Sequence, residues 1–288
     1  MAEPRTLTLD VPGAKLAYDI RDAEDGTAEP PLLLIGLPMD AGGFHTLAGH
    51  FPDRTVVTYD PRVTGRSERT GTEPVTPEVH ADDVHRVISA IGGGPVDIFA
   101  SSGGALTALA LLGRHPEQVR TLVAHEPPTA PVLPDREEAM AATAGIRSIY
   151  ERDGFGPAMA KFIALSSVKG PIPRDFADEP ADPAAFGLPA EDDGSRGDPL
   201  LTNMVAVTHY EVDFDALGPL SERIVIGAGA ASEGELAHRA AVEVAERLGI
   251  EPVIFPSHHG GFLGPESGYA GEPDAFAATL RQVLAGTG

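Results

Sequence analysis

The feature that most constrains the fold is an alternation between short apolar runs and longer segments with helical periodicity. Residues 31–35 and 55–59 are short apolar runs of strand length, as expected of strands that are buried on both faces, and residues 96–100 are also predicted to form a strand. Residues 76–91 and 104–114 carry the helical pattern. Strands that alternate with helices form a mainly parallel sheet with helices on both faces, so the sequence predicts the α/β class.

The alternation stops after residue 127 and resumes at residue 214. The residues between contain helical patterns and an acidic, proline-rich stretch. A gap of about 85 residues is far longer than an ordinary loop, so it should carry structure of its own. We therefore predict a core formed by residues 1–127 and 214–288, with a helical cap inserted at residues 128–213.

The composition narrows the partners and the compartment. The chain has 288 residues, no cysteine and a formal net charge of −22. Without cysteine there is no disulfide, no thiolate metal site and no cysteine nucleophile. The negative charge disfavours nucleic acid and membrane surfaces as partners. No apolar run has the roughly 20 residues that cross a bilayer, and no secretory signal is evident, so we predict a cytoplasmic protein; a homodimer stays open.

Residues 97–106 (DIFASSGGAL) contain the most informative local pattern. A predicted strand ends, Ser102 follows, and a predicted helix begins at once. A sharp strand-to-helix turn crowds the positions two residues before and after its centre, and here these are the small residues Ala100 and Gly104. Such a turn lifts the Ser102 hydroxyl above the sheet beside a helix N-terminus, where negative charge is stabilised. Ser102 is therefore the candidate nucleophile, and a turn that only packs well is the alternative.

Four segments in one order resemble the α/β-hydrolase superfamily. Residues 97–106 resemble its nucleophile elbow, and residues 35–38 (IGLP) stand where the family has a His-Gly dipeptide after its third strand. Residues 59–67 (YDPRVTGRS) resemble the loop after its fourth strand, and residues 257–262 (SHHGGF) its histidine loop. The match covers nearly the whole chain except the insertion. It implies an α/β-hydrolase fold with a helical cap.

The resemblance also implies roles for individual residues. His259 precedes small residues, as the family's general base does, while the adjacent His258 is the alternative, since neighbours along a chain point in different directions. The oxyanion hole would use the backbone N–H groups of Leu37 and Gly103. Pro38, which has no N–H to donate, is consistent with Leu37 in this role.

The triad acid is where the chain departs from the family pattern. Many relatives carry aspartate after the seventh strand, where this chain has Ala230. Some relatives place the acid after the sixth strand, where this chain has Glu126. We predict that Glu126 orients His259. The alternatives are a structural Glu126, with Glu233 or another carboxylate as the acid, or a Ser–His dyad.

Two sequence patterns suggest a cofactor site and a metal site, but the residues around them do not support either one. Residues 227–232 approach a dinucleotide-binding motif, but the third glycine is Ser232 and the next strand lacks the acidic residue that a ribose requires. We therefore predict no nucleotide cofactor and assign Gly227 and Gly229 to a tight turn. His80 and His85 are five residues apart and would not share a helix face, so we predict no metal site.

The predicted activity is that of a serine hydrolase that cleaves an ester, lactone or thioester of a small molecule through an acyl-enzyme. A serine at this turn argues against epoxide hydrolase or haloalkane dehalogenase chemistry, for which the resemblance implies an aspartate nucleophile. The alternatives are a repurposed fold that works as an epimerase, cyclase or lyase, and a small-molecule receptor. Substrate identity stays open. Candidate pocket residues, with core packing as the alternative, are Met39, Phe44, His209 and Tyr210.

Overall fold

A computed structural model describes residues 3–24 and 28–286. In this part of the chain nine strands form one sheet. The strands are β1 (Arg5–Val11), β2 (Ala14–Arg21), β3 (Leu32–Ile35), β4 (Val56–Tyr59), β5 (Glu68–Arg69), β6 (Val96–Ser101), β7 (Val119–His125), β8 (Ile224–Gly229) and β9 (Val253–Phe255).

The sheet order is β1-β2-β4-β3-β6-β7-β8-β9, with the short β5 paired to β2. All pairs from β4 through β9 are parallel, while β1, β2 and β5 pair antiparallel at one end. Parallel strands place their carboxyl ends at one edge, where sites in open α/β sheets are commonly built. The predicted α/β fold with a mainly parallel sheet is confirmed.

The helices come mostly between the strands, as the alternation predicts. They are α1 (His45–Gly49), α2 (Pro77–Ala90), α3 (Gly103–Arg114), α4 (Arg136–Asp153), α5 (Phe155–Ser166), α6 (Pro199–Thr208), α7 (Phe214–Leu217), α8 (Leu236–Leu248) and α9 (Pro273–Gly286). Among the described residues, no helix has both the length and the apolar character needed to cross a membrane.

Two apolar clusters cover the two faces of the sheet. Leu33 and Ile35 of β3 pack with α2, α3 and α8 on one face, while Leu32 and Leu34 pack with α1 and α9 on the other. All four side chains are fully buried. This explains why the sequence of β3 is a continuous apolar run and not an alternation of apolar and polar residues.

Residues 128–213 leave the sheet after β7 and return before β8. They contain the helices α4, α5 and α6, and their apolar residues join the cluster on the α3 side of the sheet. Helix α6, whose sequence gave no helical prediction, approaches α3. The role of this segment as a cap stays a prediction.

Candidate active site

Ser102 lies in a strained turn between β6 and α3. Its φ of 59° and ψ of −130° are values that a residue with a side chain rarely adopts. The Ser102 N–H donates to the carbonyl of His125 at 3.0 Å, which ties the turn to the neighbouring strand. Strain of this kind persists only where the surroundings impose it, and it concentrates at functional sites.

The small residues beside Ser102 allow the β3 loop to approach the first turn of α3. A Cβ atom built on Gly104 would lie 2.5 Å from the carbonyl oxygen of Ile35, and one on Gly103 would lie 2.9 Å from that of Leu37. No larger residue fits at either position without moving backbone. The two residues that the sequence assigns to an oxyanion hole, Leu37 and Gly103, are therefore in contact.

The loop after β4 fixes the segment that follows Leu37. The Asp60 carboxylate accepts the N–H of Ala41 at 2.9 Å and that of Arg66 at 2.7 Å. The Arg66 guanidinium also donates to Asp60, at 2.8 Å from Nε. One buried carboxylate thus links the loops that follow β3 and β4. This contact gives the YDPRVTGRS motif a structural function.

Glu126 is fully buried immediately after β7, in a second strained conformation with φ of 47°. Its N–H donates to the carbonyl of Gly227 at 3.0 Å. His125 pairs with Ser101 in the sheet, so Glu126 and Ser102 leave adjacent strands side by side. The Glu126 side chain therefore stands at the same edge as Ser102.

Both carboxylate oxygens of Glu126 have partners. Oε1 accepts the N–H of Gly229 at 2.8 Å and the hydroxyl of Ser232. Oε2 accepts from Nδ1 of His259 at 2.5 Å. Because a carboxylate can only accept, Nδ1 carries the hydrogen and Nε2 of the neutral ring is left as the basic nitrogen. The structure thus brings together the acid and base residues that the sequence singles out.

His258 faces away from this pair. Its Nδ1 accepts the N–H of Gly260 at 3.0 Å, and its Nε2 lies 3.3 Å from the carbonyl oxygen of Ala270. Its ring packs against Tyr269, with 4.1 Å between ring centroids. Of the two adjacent histidines, His259 is therefore the one in position to act as a base.

Glu126 stays ionised although it is buried. Burial raises the pKa of its carboxyl, but the hydrogen bond and charge of His259 and the hydrogen bond from Ser232 outweigh burial and bring the pKa to about 2. The carboxylate can therefore stabilise a positive charge that forms on His259. This is what an orienting acid contributes in a triad.

The Ser102 side chain is not hydrogen-bonded to the Glu126–His259 pair. Within the described residues its hydroxyl forms no hydrogen bond, so the Glu126–His259 pair is in place while the contact from His259 to Ser102 is not made. In structures without substrate, catalytic hydrogen bonds are often long and shorten only in the complex.

Sequence reasoning missed Ser232 and misassigned the two glycines nearby. Helix α8 begins at Leu236, four residues after Ser232. Gly227 and Gly229 lie in β8, so their assignment to a tight turn is wrong. The Gly229 N–H and the Ser232 hydroxyl hold Glu126 from the strand where relatives carry the acid. Ala230 stands where relatives carry the acid, and the nearby Gly229 and Ser232 can both donate hydrogen bonds. This pattern in the sequence could have indicated that the segment holds an acid from another strand.

His125, Glu126 and His259 form a group whose ligand atoms lie within 4.8 Å of one another, as a metal site requires. The Glu126 oxygens already accept from Gly229, Ser232 and His259, and a metal at this point would displace His259 from Oε2. Burial lowers the pKa of His125 to about 4, and its ring packs between Phe255 and Phe276. The hydrogen bonds favour an acid–base pair over a metal centre, and the absence of a metal stays a prediction.

The four predicted pocket residues are placed differently from one another. Phe44 is fully buried and stacks on Phe262 with 5.4 Å between centroids, which favours core packing. Met39 packs against Gly36 and Gly43 in the segment that follows β3. His209 Nε2 lies 2.9 Å from the hydroxyl of Thr143. Tyr210, within the insertion, is partly buried and packs against the apolar cluster on the α3 side of the sheet.

Val207 of α6 was not predicted as a site residue, yet it lies against the turn at Ser102. A Cβ atom built on Gly103 would be 3.0 Å from Cγ1 of Val207. Helix α6 therefore covers the Ser102 turn from the side of the insertion.

The comparisons with known proteins place this geometry in a family. Residues 30–178 match the family model described as the alpha/beta hydrolase fold. The chain therefore belongs to the α/β-hydrolase family. It is 32% identical over 269 residues to the uncharacterized hydrolase YraK of Bacillus subtilis (strain 168), which covers 88% of this chain and 89% of that protein.

Solved structures share the fold at low sequence identity. The enol-lactonase from Burkholderia xenovorans LB400 superposes with a TM-score of 0.65 at 18% identity, covering 97% of this chain and all of that one. A thermophilic esterase from Thermogutta terrifontis superposes with a TM-score of 0.63 at 18% identity, covering 99% of both chains. Proteins described as epoxide hydrolases share the fold as well, so the fold alone does not choose between ester and epoxide substrates.

The buried hydrogen bond from Ser232 leads to a testable prediction. Ser232→Ala removes one of the two donors to Oε1 of Glu126, and we expect it to lower the free energy of unfolding by about 1–3 kcal/mol near neutral pH. The loss should be constant while Glu126 is ionised in both proteins. The difference in free energy of unfolding between the two proteins should become smaller below about pH 4.5, because the Glu126 carboxyl of the variant is less stabilised and protonates first as the pH falls.

Urea unfolding of both proteins between pH 7 and about pH 3 measures this effect. The matched control is Ser148→Ala, which removes an exposed hydroxyl bonded to a helix carbonyl, and we expect a change within about 0.5 kcal/mol for it. A destabilisation of Ser232→Ala that does not narrow at low pH would show that Ser232 packs without supporting the charge of Glu126.

Proposed function

We propose that this protein is a serine hydrolase that cleaves an ester, lactone or thioester of a small molecule. Ser102 is the nucleophile, His259 the general base and Glu126 the acid that orients it. The observation that carries the proposal is the buried Glu126–His259 pair at the same sheet edge as the strained Ser102 turn. A hydrogen-bonded base next to a hydroxyl nucleophile is the arrangement that acyl transfer needs.

The first half of the reaction forms an acyl-enzyme. Nε2 of His259 takes the proton of the Ser102 hydroxyl as its oxygen attacks the substrate carbonyl. The resulting imidazolium keeps its Nδ1 hydrogen bond to Glu126, whose charge stabilises it. When the tetrahedral intermediate collapses, the bond to the leaving group breaks and His259 donates its Nε2 proton to that group.

Water completes the reaction. His259 removes a proton from a water molecule, whose oxygen attacks the acyl carbonyl and forms a second tetrahedral intermediate. Collapse of this intermediate breaks the bond to Ser102, and His259 returns the proton to the Ser102 oxygen. The products are a carboxylic acid and an alcohol or thiol, which for a lactone are joined in one molecule.

The oxyanion of both intermediates would be held by the backbone N–H groups of Leu37 and Gly103. Gly103 is the first residue of α3, so its N–H has no partner within the helix and points to its N-terminal side. The tight contact between the β3 loop and α3 fixes both donors in advance. A preformed donor of this kind contributes about 3 kcal/mol to transition-state stabilisation.

The choice of an ester-type substrate has two supports. A serine stands at the elbow where, by the family resemblance, epoxide hydrolases use aspartate. The lactonase and the esterase that share the fold along nearly the whole chain act on bonds of this type, as their descriptions state.

Labelling with a fluorophosphonate tests the nucleophile. We expect stoichiometric modification of Ser102, because the probe reacts with an activated serine and leaves other hydroxyls unchanged. Mass spectrometry of the digested protein locates the label, and Ser102→Ala is the control that should remain unlabelled. A label on Ser101, or none on folded protein, would contradict the assignment.

A panel of short nitrophenyl esters and lactones tests the reaction class. Turnover that phosphonate treatment abolishes is the expected result. Binding of these compounds without any turnover would indicate a receptor built on this fold.

A further inference from the structure

A cavity of about 490 Å³ lies between the loop that follows β4 and the inserted helices. Its walls come from Val63 and Arg69 on the core side, and from Arg147 on α4 and Asn203 on α6 on the other. Neither the proposed triad nor the oxyanion loop contributes to it. The proposed reaction steps at Ser102, His259 and Glu126 therefore do not use the residues that line this cavity.

The charges around this cavity are unusual for the chain. Three arginines line it, namely Arg69, Arg147 and Arg196, and none of its lining residues is acidic. The chain as a whole has 21 basic and 43 acidic residues. A chance selection of lining residues would favour carboxylates over guanidinium groups.

Two of the three arginines are paired with carboxylates outside the cavity. Arg147 Nε donates to Glu151 at 2.8 Å, and Arg196 donates from two nitrogens to Asp192 at 2.8 and 2.7 Å. Arg69 donates to the backbone carbonyl of Glu73, and no carboxylate of the described residues pairs with it. Three positive and two negative groups leave an excess of one positive charge, which matches a monoanion better than a dianion.

The guanidinium groups are held in place before any ligand arrives. Arg196 lies over the ring of Tyr150, at 5.6 Å from its centroid, and Arg147 Nη1 donates to the carbonyl of Leu201 at 3.3 Å. Rigid guanidinium groups bind carboxylates with little loss of entropy and often through two parallel hydrogen bonds.

Helix α6 connects this cavity to the proposed nucleophile. Asn203 lines the cavity, and Val207, four residues later on the same face of the helix, packs against Gly103 beside Ser102. Four helical residues advance about 6 Å. The cavity and the Ser102 turn therefore contact successive turns of α6.

We propose that this cavity binds a carboxylate at the far end of the substrate, so that the ester or lactone attacked by Ser102 is itself a carboxylate monoanion. The proposal rests on the proposed hydrolase function and names its substrate class. The carbonyl and the carboxylate would be separated by roughly the 6 Å that four helical residues span.

A pair of matched esters tests the proposal. One is the nitrophenyl monoester of adipic acid, and the other is its neutral isostere, in which an isopropyl group replaces the carboxylate. The measured quantity is the ratio of kcat/KM for the anionic ester to that for the neutral one. We expect Arg69→Gln and Arg147→Gln each to lower this ratio about 10- to 100-fold, the effect of losing one charge-assisted hydrogen bond.

Arg152→Gln is the matched control. Arg152 lies on α4 near Arg147, but it is exposed, pairs with Asp153 and does not line the cavity. We expect it to leave the ratio unchanged. Turnover of both esters with a ratio that neither Arg69→Gln nor Arg147→Gln changes would overturn the carboxylate site and leave the hydrolase proposal intact.

A binding measurement separates failure of the site from failure of the reaction. If neither ester is turned over, the hydrolase proposal fails, and titration calorimetry with hexanoate, a monoanion of similar length, decides the cavity alone. Millimolar or tighter binding to the wild type that Arg69→Gln weakens at least tenfold supports the site. Absence of binding, or equal binding by both proteins, overturns it.

Discussion

Ser102→Ala is expected to lower kcat for ester hydrolysis by about 10⁴–10⁶, the largest effect of any single substitution in this chain. The hydroxyl is the atom that forms the acyl-enzyme, and no neighbouring group replaces it. The Glu126–His259 pair should survive, because its hydrogen bond does not involve the Ser102 side chain. Residual turnover would come from the oxyanion donors and substrate binding alone.

Ser101→Ala is the matched control for this experiment. Ser101 is the adjacent serine, buried at the end of β6, with its hydroxyl 3.4 Å from Nδ1 of His125. We expect it to change kcat less than tenfold, since it faces the sheet and not the cleft. Steady-state kinetics on the two variants, with circular dichroism to verify folding, gives the result. Activity that is kept in Ser102→Ala and lost in Ser101→Ala would contradict the assignment of the nucleophile.

The order of elements and the carboxyl edge of the sheet were predictable from sequence because they depend on local patterns. The run of residues 31–35 has both faces apolar, and this alone identifies a central strand. The small residues around Ser102 are needed at that turn, since a Cβ on Gly104 would meet backbone. The position of Glu126 followed from the rule that parallel strands end at one edge.

The parts that sequence did not reveal depend on contacts between distant segments. Ser232 reaches Glu126 across 106 residues, and no local pattern marks it as a donor. Helix α6 follows an acidic, proline-rich stretch and has only a weak apolar face, so its position above Ser102 through Val207 was not evident. Arg69, Arg147 and Arg196 are far apart in sequence and meet only in the folded chain.

One sequence-based prediction, the tight turn at Gly227 and Gly229, is wrong for a reason that the structure explains. Gly227 and Gly229 belong to a stretch that approaches a dinucleotide motif, and they were assigned to a tight turn. They are strand residues: a Cβ on Gly227 would lie 2.9 Å from the ring of Phe255, and the Gly229 N–H is used by Glu126. A side chain at Gly227 would collide with the Phe255 ring, and one at Gly229 would collide with the Ser232 hydroxyl that binds Glu126.

Glu126→Gln is expected to lower kcat by up to about 10⁴ while the fold is kept. The hydrogen-bond partners of Glu126 explain this expected loss of kcat. The Gly229 N–H can only donate, so it holds the carbonyl oxygen of the glutamine at the position that Oε1 occupies now. The amide NH₂ group then takes the position of Oε2 and faces Nδ1 of His259 as a donor. Nδ1 must accept, which places the hydrogen of the neutral ring on Nε2, where it cannot take the proton of Ser102.

Nitrogen-15 NMR of the histidine rings reports the tautomer, and kcat reports its consequence. The matched control is Glu235→Gln, a half-buried carboxylate near the same site, which should leave the His259 tautomer unchanged. A variant that shows the switched tautomer together with the loss of kcat supports Glu126 as the orienting acid. Near-wild-type kcat in Glu126→Gln would make Glu126 a structural residue. The protein would then rely on Glu233, on another carboxylate, or on a Ser–His dyad, because the position at which relatives carry the acid is Ala230.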